Sequence, residues 1–144
     1  MDKKKILKFG NIIIDEKIVF YKRKFVYAFT NLKPFLPGHV LLAPVRVEKS
    51  YANLSETEAM ELWISAKNIS ENLKKYYHTD SVQISIQDGK DSGQTVEHCH
   101  MHLIPIPEGY VPKSVDNEKR KPRLLEDMAQ EAEIYKQNFI FIKL

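Results

Sequence analysis

The stretch EHCHMHLIPIP, residues 97 to 107, restricts what this chain can fold into more than any other. Histidines occupy positions 98, 100 and 102, while Cys99, Met101 and Leu103 fill the alternate ones. In an extended strand, alternate side chains share a face. His98, His100 and His102 would then point one way, and the apolar set would point the other. The apolar set belongs in a core, which makes Cys99 a buried small hydrophobe rather than a nucleophile. A sheet packed on one side and lined with imidazoles on the other is the first expectation.

The rest of the chain supplies partners for such a strand. FGNIIID (Phe9 to Asp15), KIVFYK (Lys17 to Lys22) and FVYAFT (Phe25 to Thr30) are rich in β-branched and aromatic residues and read as strands. NLKPFLPG is a connection, since it holds two prolines and a glycine. HVLLAPV (His39 to Val45) follows as a strand, with Pro44 marking an end or an edge. Ser55 with Glu58 three residues on is a capping box, so a helix starts there. Ala59, Leu62, Trp63, Ala66, Ile69, Leu73 and Tyr76 recur at three- and four-residue steps and carry it to Tyr77. SVQISIQ (Ser81 to Gln87) alternates with Val82, Ile84 and Ile86 on one face, and the polar loop DGKDSGQT leads to the histidines. Arg123 to Gln137 reads as a second helix and FIFIK (Phe139 to Lys143) as a closing strand. Strands, helix, strands, helix is the order of an α+β fold: a mainly antiparallel sheet, one long helix and a C-terminal helix.

Size and charge narrow the function. A chain of 144 residues is most simply one domain. Its net charge of +3 suits anionic ligands without demanding nucleic acid. The lone Cys99 excludes an intramolecular disulfide and a cysteine-rich zinc site. Neither a secretory signal nor a membrane-spanning run is present, which makes the cytoplasm, with the nucleus beside it, the expected location.

Three readings compete for the imidazoles. Three satisfied structural histidines on one face are hard to ascribe to chance. A shared metal ion is strained, because the Cα atoms of His98 and His102 would lie about 13 Å apart along a strand rising roughly 3.3 Å per residue, whereas zinc–nitrogen bonds are only about 2.0–2.1 Å. Two of the histidines plus a distant ligand would be the better metal site. Phosphate chemistry fits the spacing best. Rungs about 6.6 Å apart can engage successive atoms of a polyphosphate, and a neutral central imidazole can attack phosphorus. Histidine reaches both protonation states near neutrality.

HCHMHLIP resembles the His-x-His-x-His motif of the histidine triad (HIT) superfamily of nucleotide hydrolases and transferases. FGNIIIDEKIVFYKRKFVYAFTNLKPFLPGHVLLAPVR and QDGKDSGQTVEHCHMHLIP, with the spacing between them, are similar to its Fhit branch, the dinucleoside polyphosphate hydrolases. The likeness covers residues 9 to 107 of a single domain spanning 1 to 144, with a loop, helix and strand over 108 to 144. Hint-like phosphoramidases usually carry glycines soon after the third histidine, where this chain has IPIP.

The resemblance implies cleavage of diadenosine triphosphate or tetraphosphate to AMP and the remaining nucleotide. It implies His100 as the nucleophile, His102 as an aid to leaving-group or water protons, His98 as the orienting residue and His39 as their support. Gln87 and Gln94 would hold phosphate oxygens, with Gly93 letting backbone approach them. Asn31 would bind ribose, and Phe9 and Ile14 would wall the base. It implies a homodimer, for which Trp63, Tyr76–Tyr77 and the closing strand are candidate contacts. No protein-bound cofactor or metal is called for, although Mg or Mn could accompany the substrate's phosphates. The rivals are a Hint-like phosphoramidase or nucleotidylyl transferase, and a nucleotide-binding signalling module. Beyond Pro107 the likeness fades. No regulatory role passes to Tyr110, and Lys119, Arg120, Lys121 and Arg123 read as a solvated charge run, with a phosphate-facing flap as the sharper alternative. His78, beside a helix end, reads as a surface residue.

Overall fold

The computed structural model describes residues 6–112 and 120–141. Strands β1 (Lys8–Phe9) and β2 (Ile12–Ile13) form a small antiparallel hairpin. Strands β3 (Val19–Lys22), β4 (Val26–Thr30), β5 (Val40–Pro44), β6 (Ser81–Ile86) and β7 (Met101–Ile106) form one sheet in the order β3-β4-β5-β7-β6. Every neighbouring pair in it is antiparallel. Helix α1 (Glu56–Tyr77) connects β5 to β6, and helix α2 (Leu125–Asn138) follows β7. The expected α+β architecture is the observed one.

The central strands β4 and β5 are buried at every position, because both faces of the sheet are covered. On one face Val26, Ala28, Val40, Leu42, Met101 and Leu103 pack against Leu62, Ala66, Ile69 and Leu73 of α1 and Ala132 and Tyr135 of α2. On the other, Tyr27, Phe29, Leu41 and Ala43 pack with Leu7, Phe9, Ile18 and Met128. Each fully buried Leu or Ile is worth about 1.5–3 kcal/mol, so the α1 stripe anchors the helix by tertiary packing. Its start is the expected capping box: Ser55 Oγ accepts the Glu58 N–H, and the Glu58 carboxylate accepts the Ser55 N–H. His78 ends the helix in the left-handed conformation and is exposed.

Several boundaries differ from the sequence reading. FGNIIID is not one strand, since the chain turns back at Gly10–Asn11. Trp63 and Tyr76 stand outside the buried stripe, at 46% and 39% exposure, while Ser65, Asn68 and Asn72 lie inside it. Those polar residues are buried because they have partners: Ser65 Oγ bonds the Tyr21 hydroxyl, and Asn72 bonds backbone after α2. The second helix starts two residues late, because the Arg123 N–H is held by the Leu32 carbonyl. The closing strand is absent over Phe139–Phe141, and Lys143 lies outside the described residues. Asn72 explains the absence, since its amide accepts the Ile140 N–H and donates to the Ile140 carbonyl, both at 2.9 Å. A side chain takes the bonds that a neighbouring strand would have made.

Candidate active site

Strand β7 carries Met101 and Leu103 into the helix-side core and leaves His102 on the opposite face. His98 and His100 lie in the segment just before it, so the expected single strand through all three histidines begins only at Met101. Cys99 is buried as expected, and burial pushes its thiol up to about 11. His98 and His100 lie over Phe9, whose ring is 5.4 Å from that of His98 and 4.9 Å, edge-on, from that of His100. His39, immediately before β5, joins the row from the neighbouring strand: its Nε2 lies 2.9 Å from His102 Nδ1. His98, His100 and His39 are buried and His102 is half-buried.

The hydrogen bonds fix each tautomer. The Gly10 N–H donates to His98 Nδ1 at 2.9 Å, so the His98 proton sits on Nε2 and is donated to the Pro44 carbonyl at 2.8 Å. The His98 carbonyl in turn accepts the His100 Nδ1–H at 2.7 Å, which leaves the His100 Nε2 lone pair free. On the other side the Phe35 N–H donates to His39 Nδ1 at 2.9 Å. His39 therefore donates from Nε2 to His102 Nδ1, and the His102 proton sits on Nε2. That nitrogen is buried and has no hydrogen-bond partner among the described residues. Leaving a buried donor unsatisfied costs about 1–3 kcal/mol, so an acceptor oxygen placed there would be bound in proportion. One lone pair and one proton, on ring centroids 5.0 Å apart, share the open face.

Burial also sets the charge state. Desolvation lowers His39 to about 3, assisted by the charges of His102 and Arg120, and lowers His102 to about 4, assisted by His100 and Arg120. It lowers His98 and His100 as well. The imidazoles are neutral near pH 7, as nucleophilic attack requires. A bound polyanion reverses part of this trend by stabilising the cationic form.

The remaining sequence candidates fall around this face unequally. Gln87 lies one residue beyond the β6–β7 pairing, in which Ser85 faces His102 and Ile86 faces Met101, so the same register sets it opposite His100. Its amide lies over Gly93, where an added Cβ would come within 2.6 Å of Gln87 Nε2. Gln94 is engaged by backbone of its own loop and of the segment after β5: Oε1 accepts the Gly89 N–H, and Nε2 donates to the Lys49 and Val96 carbonyls. Asn31 Nδ2 is 3.4 and 3.2 Å from the two His39 nitrogens, which places the amide over the ring face. Its Oδ1 accepts the Lys33 N–H. Ile14 is half-buried on the Phe9 cluster.

The basic run divides on inspection. Lys119 is outside the described residues and Lys121 is exposed. Arg120 lies 5.8 Å over the Phe35 ring, close enough to depress His39 and His102, and Arg123 bonds the Asn31 carbonyl. For these two the solvated reading is corrected, because burial against Phe35 and Asn31 replaces water. No spacing signal in the sequence could have found them. Tyr110 packs edge-on to Phe35 at 6.3 Å. Among the described residues no group of three His, Cys, Asp or Glu side chains is placed to hold a metal ion. No helix there is long and apolar enough to cross a membrane.

Known proteins are similar to this chain in sequence and fold. The chain is 37% identical over 130 residues to the Dictyostelium discoideum bis(5'-adenosyl)-triphosphatase, covering 86% of this chain and 87% of that one. It is 34% identical to the Arabidopsis thaliana bifunctional bis(5'-adenosyl)-triphosphatase/adenylylsulfatase FHIT, covering 91% and 83%. The crystal structure of the Plasmodium falciparum diadenosine triphosphate hydrolase in complex with cyclomarin A superposes with a TM-score of 0.83 at 32% identity, covering 94% and 85%. The HIT domain matches residues 14–109, from the hairpin to the end of the histidine strand, and the chain belongs to that family.

Proposed function

We propose that the chain hydrolyses dinucleoside polyphosphates, taking diadenosine triphosphate or tetraphosphate to AMP and the remaining nucleotide. The observation that carries this reading is the pairing of a free His100 Nε2 lone pair with an unpartnered His102 Nε2–H on one face. The names of the relatives from Dictyostelium, Arabidopsis and Plasmodium support the same substrate class.

The reaction is two-step covalent catalysis. His100 Nε2 attacks the α-phosphorus, the N–P bond forms, and the bond to the bridging oxygen breaks with its electron pair on the departing nucleotide. His102 bonds a phosphoryl or bridging oxygen through Nε2–H, and its cationic form, favoured by the bound polyanion, gives that proton to the departing oxygen. Water then attacks phosphorus and passes a proton to His102 Nε2, the N–P bond breaks with its electron pair returning to His100 Nε2, and AMP leaves. His98 holds the His100 tautomer through its carbonyl, and His39 holds that of His102. Gln87 donates to phosphate oxygens over Gly93. Gln94 joins it by exchanging a backbone carbonyl for phosphate. Asn31 bonds the ribose, while Phe9 and Ile14 border the base. A divalent cation such as Mg or Mn would arrive on the phosphates and lower their charge. Chromatography of products from a panel of mono- and dinucleotides tests the reading. AMP plus ADP from diadenosine triphosphate is expected, and an unchanged dinucleotide would reject it.

A homodimer in the cytoplasm or nucleus completes the proposal. Met60, Trp63 and Ile64 are exposed on α1, and β6, with Ile84 at 41%, is an edge of the sheet. Light scattering that shows only monomer at micromolar concentration would remove the dimer.

A further inference from the structure

The segment between β4 and β5 bears Asn31 at its start and His39 at its end, and so carries the contact that sets the His102 tautomer. The C-terminal part of the chain grips this segment twice. Arg123 Nε and Nη2 donate to the Asn31 carbonyl at 3.1 and 2.5 Å, and the Arg123 N–H donates to the Leu32 carbonyl at 3.0 Å. Glu131 of α2 holds the guanidinium, with Oε1 2.7 Å from Nη2. Its other oxygen accepts the Tyr135 hydroxyl proton at 2.5 Å. That proton being used, the Tyr77 hydroxyl donates to Tyr135 at 2.7 Å.

Tyr77 closes the circuit at the other end of the segment. Gly38, next to His39, lies so near it that an added Cβ would stand 2.5 Å from Tyr77 Cε2 and 2.6 Å from Pro105 Cγ. The chain of contacts thus runs Asn31, Arg123, Glu131, Tyr135, Tyr77, Gly38, and both ends of the His39 segment are clamped by one network. The Arg123 and Glu131 side chains are 25% and 14% exposed, and burial keeps both tyrosines protonated. A guanidinium serves better than an ammonium here, because its fixed fork reaches a carbonyl and a carboxylate together.

We propose that Arg123 is a positioning residue for the histidine site: through Asn31 and residues 31–39 it holds His39 against His102, so that the His102 Nε2 proton faces substrate. The kinetic consequence rests on the hydrolase reading, whereas the tautomer consequence does not. The experiment compares Arg123→Ala, Arg123→Lys and Glu131→Gln in the full chain. Long-range proton–nitrogen spectra of the histidine side chains report the His39 Nε2–H bond and the His102 tautomer. In the parent, one bonded His39 proton and a single Nε2–H form of His102 are expected. Arg123→Ala should lose the first and mix the second, while Arg123→Lys and Glu131→Gln should retain part of both.

With diadenosine triphosphate, Arg123→Ala should lower kcat about 10-fold or more, because small misplacements of reacting groups are costly, and should raise KM less. Added guanidinium should restore part of that kcat. Parent-like His39 and His102 spectra in Arg123→Ala would overturn the proposal, as would an unchanged kcat with a lowered melting temperature. Should Arg123→Ala fail to fold, parent-like spectra in both other variants would overturn it equally. A parent that leaves diadenosine triphosphate intact would reject the hydrolase reading alone, and the spectra would still decide the role of Arg123.

Discussion

His98 and His102 stand at opposite ends of one row and are the same residue type, yet their surroundings have little in common. Both His98 nitrogens bond backbone, from the hairpin at Gly10 and from the end of β5 at Pro44, and the side chain is fully buried. His102 bonds another side chain through one nitrogen and leaves the other without a partner. The closed end is satisfied as a core residue should be. The open end carries a donor with no partner among the described residues, available to a ligand oxygen. His100 lies between them, its tautomer fixed by the closed end and its lone pair facing the open one. The row is graded from support to reactivity, and the neighbouring strands, not the histidines themselves, set the gradient.

Replacing the row one residue at a time would break or sharpen this contrast. His100→Asn should show the largest effect: turnover abolished, with substrate affinity retained through Gln87 and His102. Rapid quench of the parent should trap an acid-labile nucleotidyl group on His100. His102→Asn should lower kcat by about 10²–10⁴, the usual range for a positioned proton donor, and leave urea unfolding nearly unchanged, because the Asn Oδ1 can accept the His39 Nε2–H in place of His102 Nδ1 while the lost Nε2–H had no partner among the described residues. His98→Ala should do the reverse in emphasis. It orphans the Gly10 N–H and the Pro44 carbonyl, at about 1–3 kcal/mol for each buried group, and should lower the unfolding midpoint before it lowers affinity. If His98→Ala proved as stable as the parent while His102→Asn unfolded early, the assignment of ends would be inverted.

The same contrast marks what could be read from residue order. The alternation at 98–103 specifies which side chains face the core, because strand periodicity is a local property. The capping box and the Leu62–Leu73 stripe are equally local, and α1 lies where they place it. What stayed hidden depends on contacts between distant segments. Gly10 gives no hint that its N–H fixes a histidine 88 residues away. Arg123 sits in a basic run that looks like solvated surface until α2 brings Glu131 beside it. FIFIK has the composition of a strand, and only Asn72 on another helix removes the need for one. Glutamine shows the limit at the site itself, since Gln87 and Gln94 read alike but Gln94 is tied to backbone at Gly89, Val96 and the distant Lys49.

Asn31 offers the smallest and finest test, because it lies at the open end, over His39. Two of its atoms have separate duties: Oδ1 accepts the Lys33 N–H and shapes the turn, while Nδ2 is the donor proposed for ribose. Asn31→Ala removes both and should weaken AMP binding by about 0.5–1.5 kcal/mol, the net worth of one hydrogen bond. Asn31→Asp keeps the turn oxygen but loses the donor. Its added charge would repel phosphate, so adenosine, which has none, is the right ligand for that variant. Loss of adenosine affinity in both variants, measured by calorimetry, assigns the contact to Nδ2. Loss in Asn31→Ala alone assigns the effect to the turn and moves Asn31 from the open end of the row to its supports. Parent-like affinity in both would leave the ribose without this partner altogether.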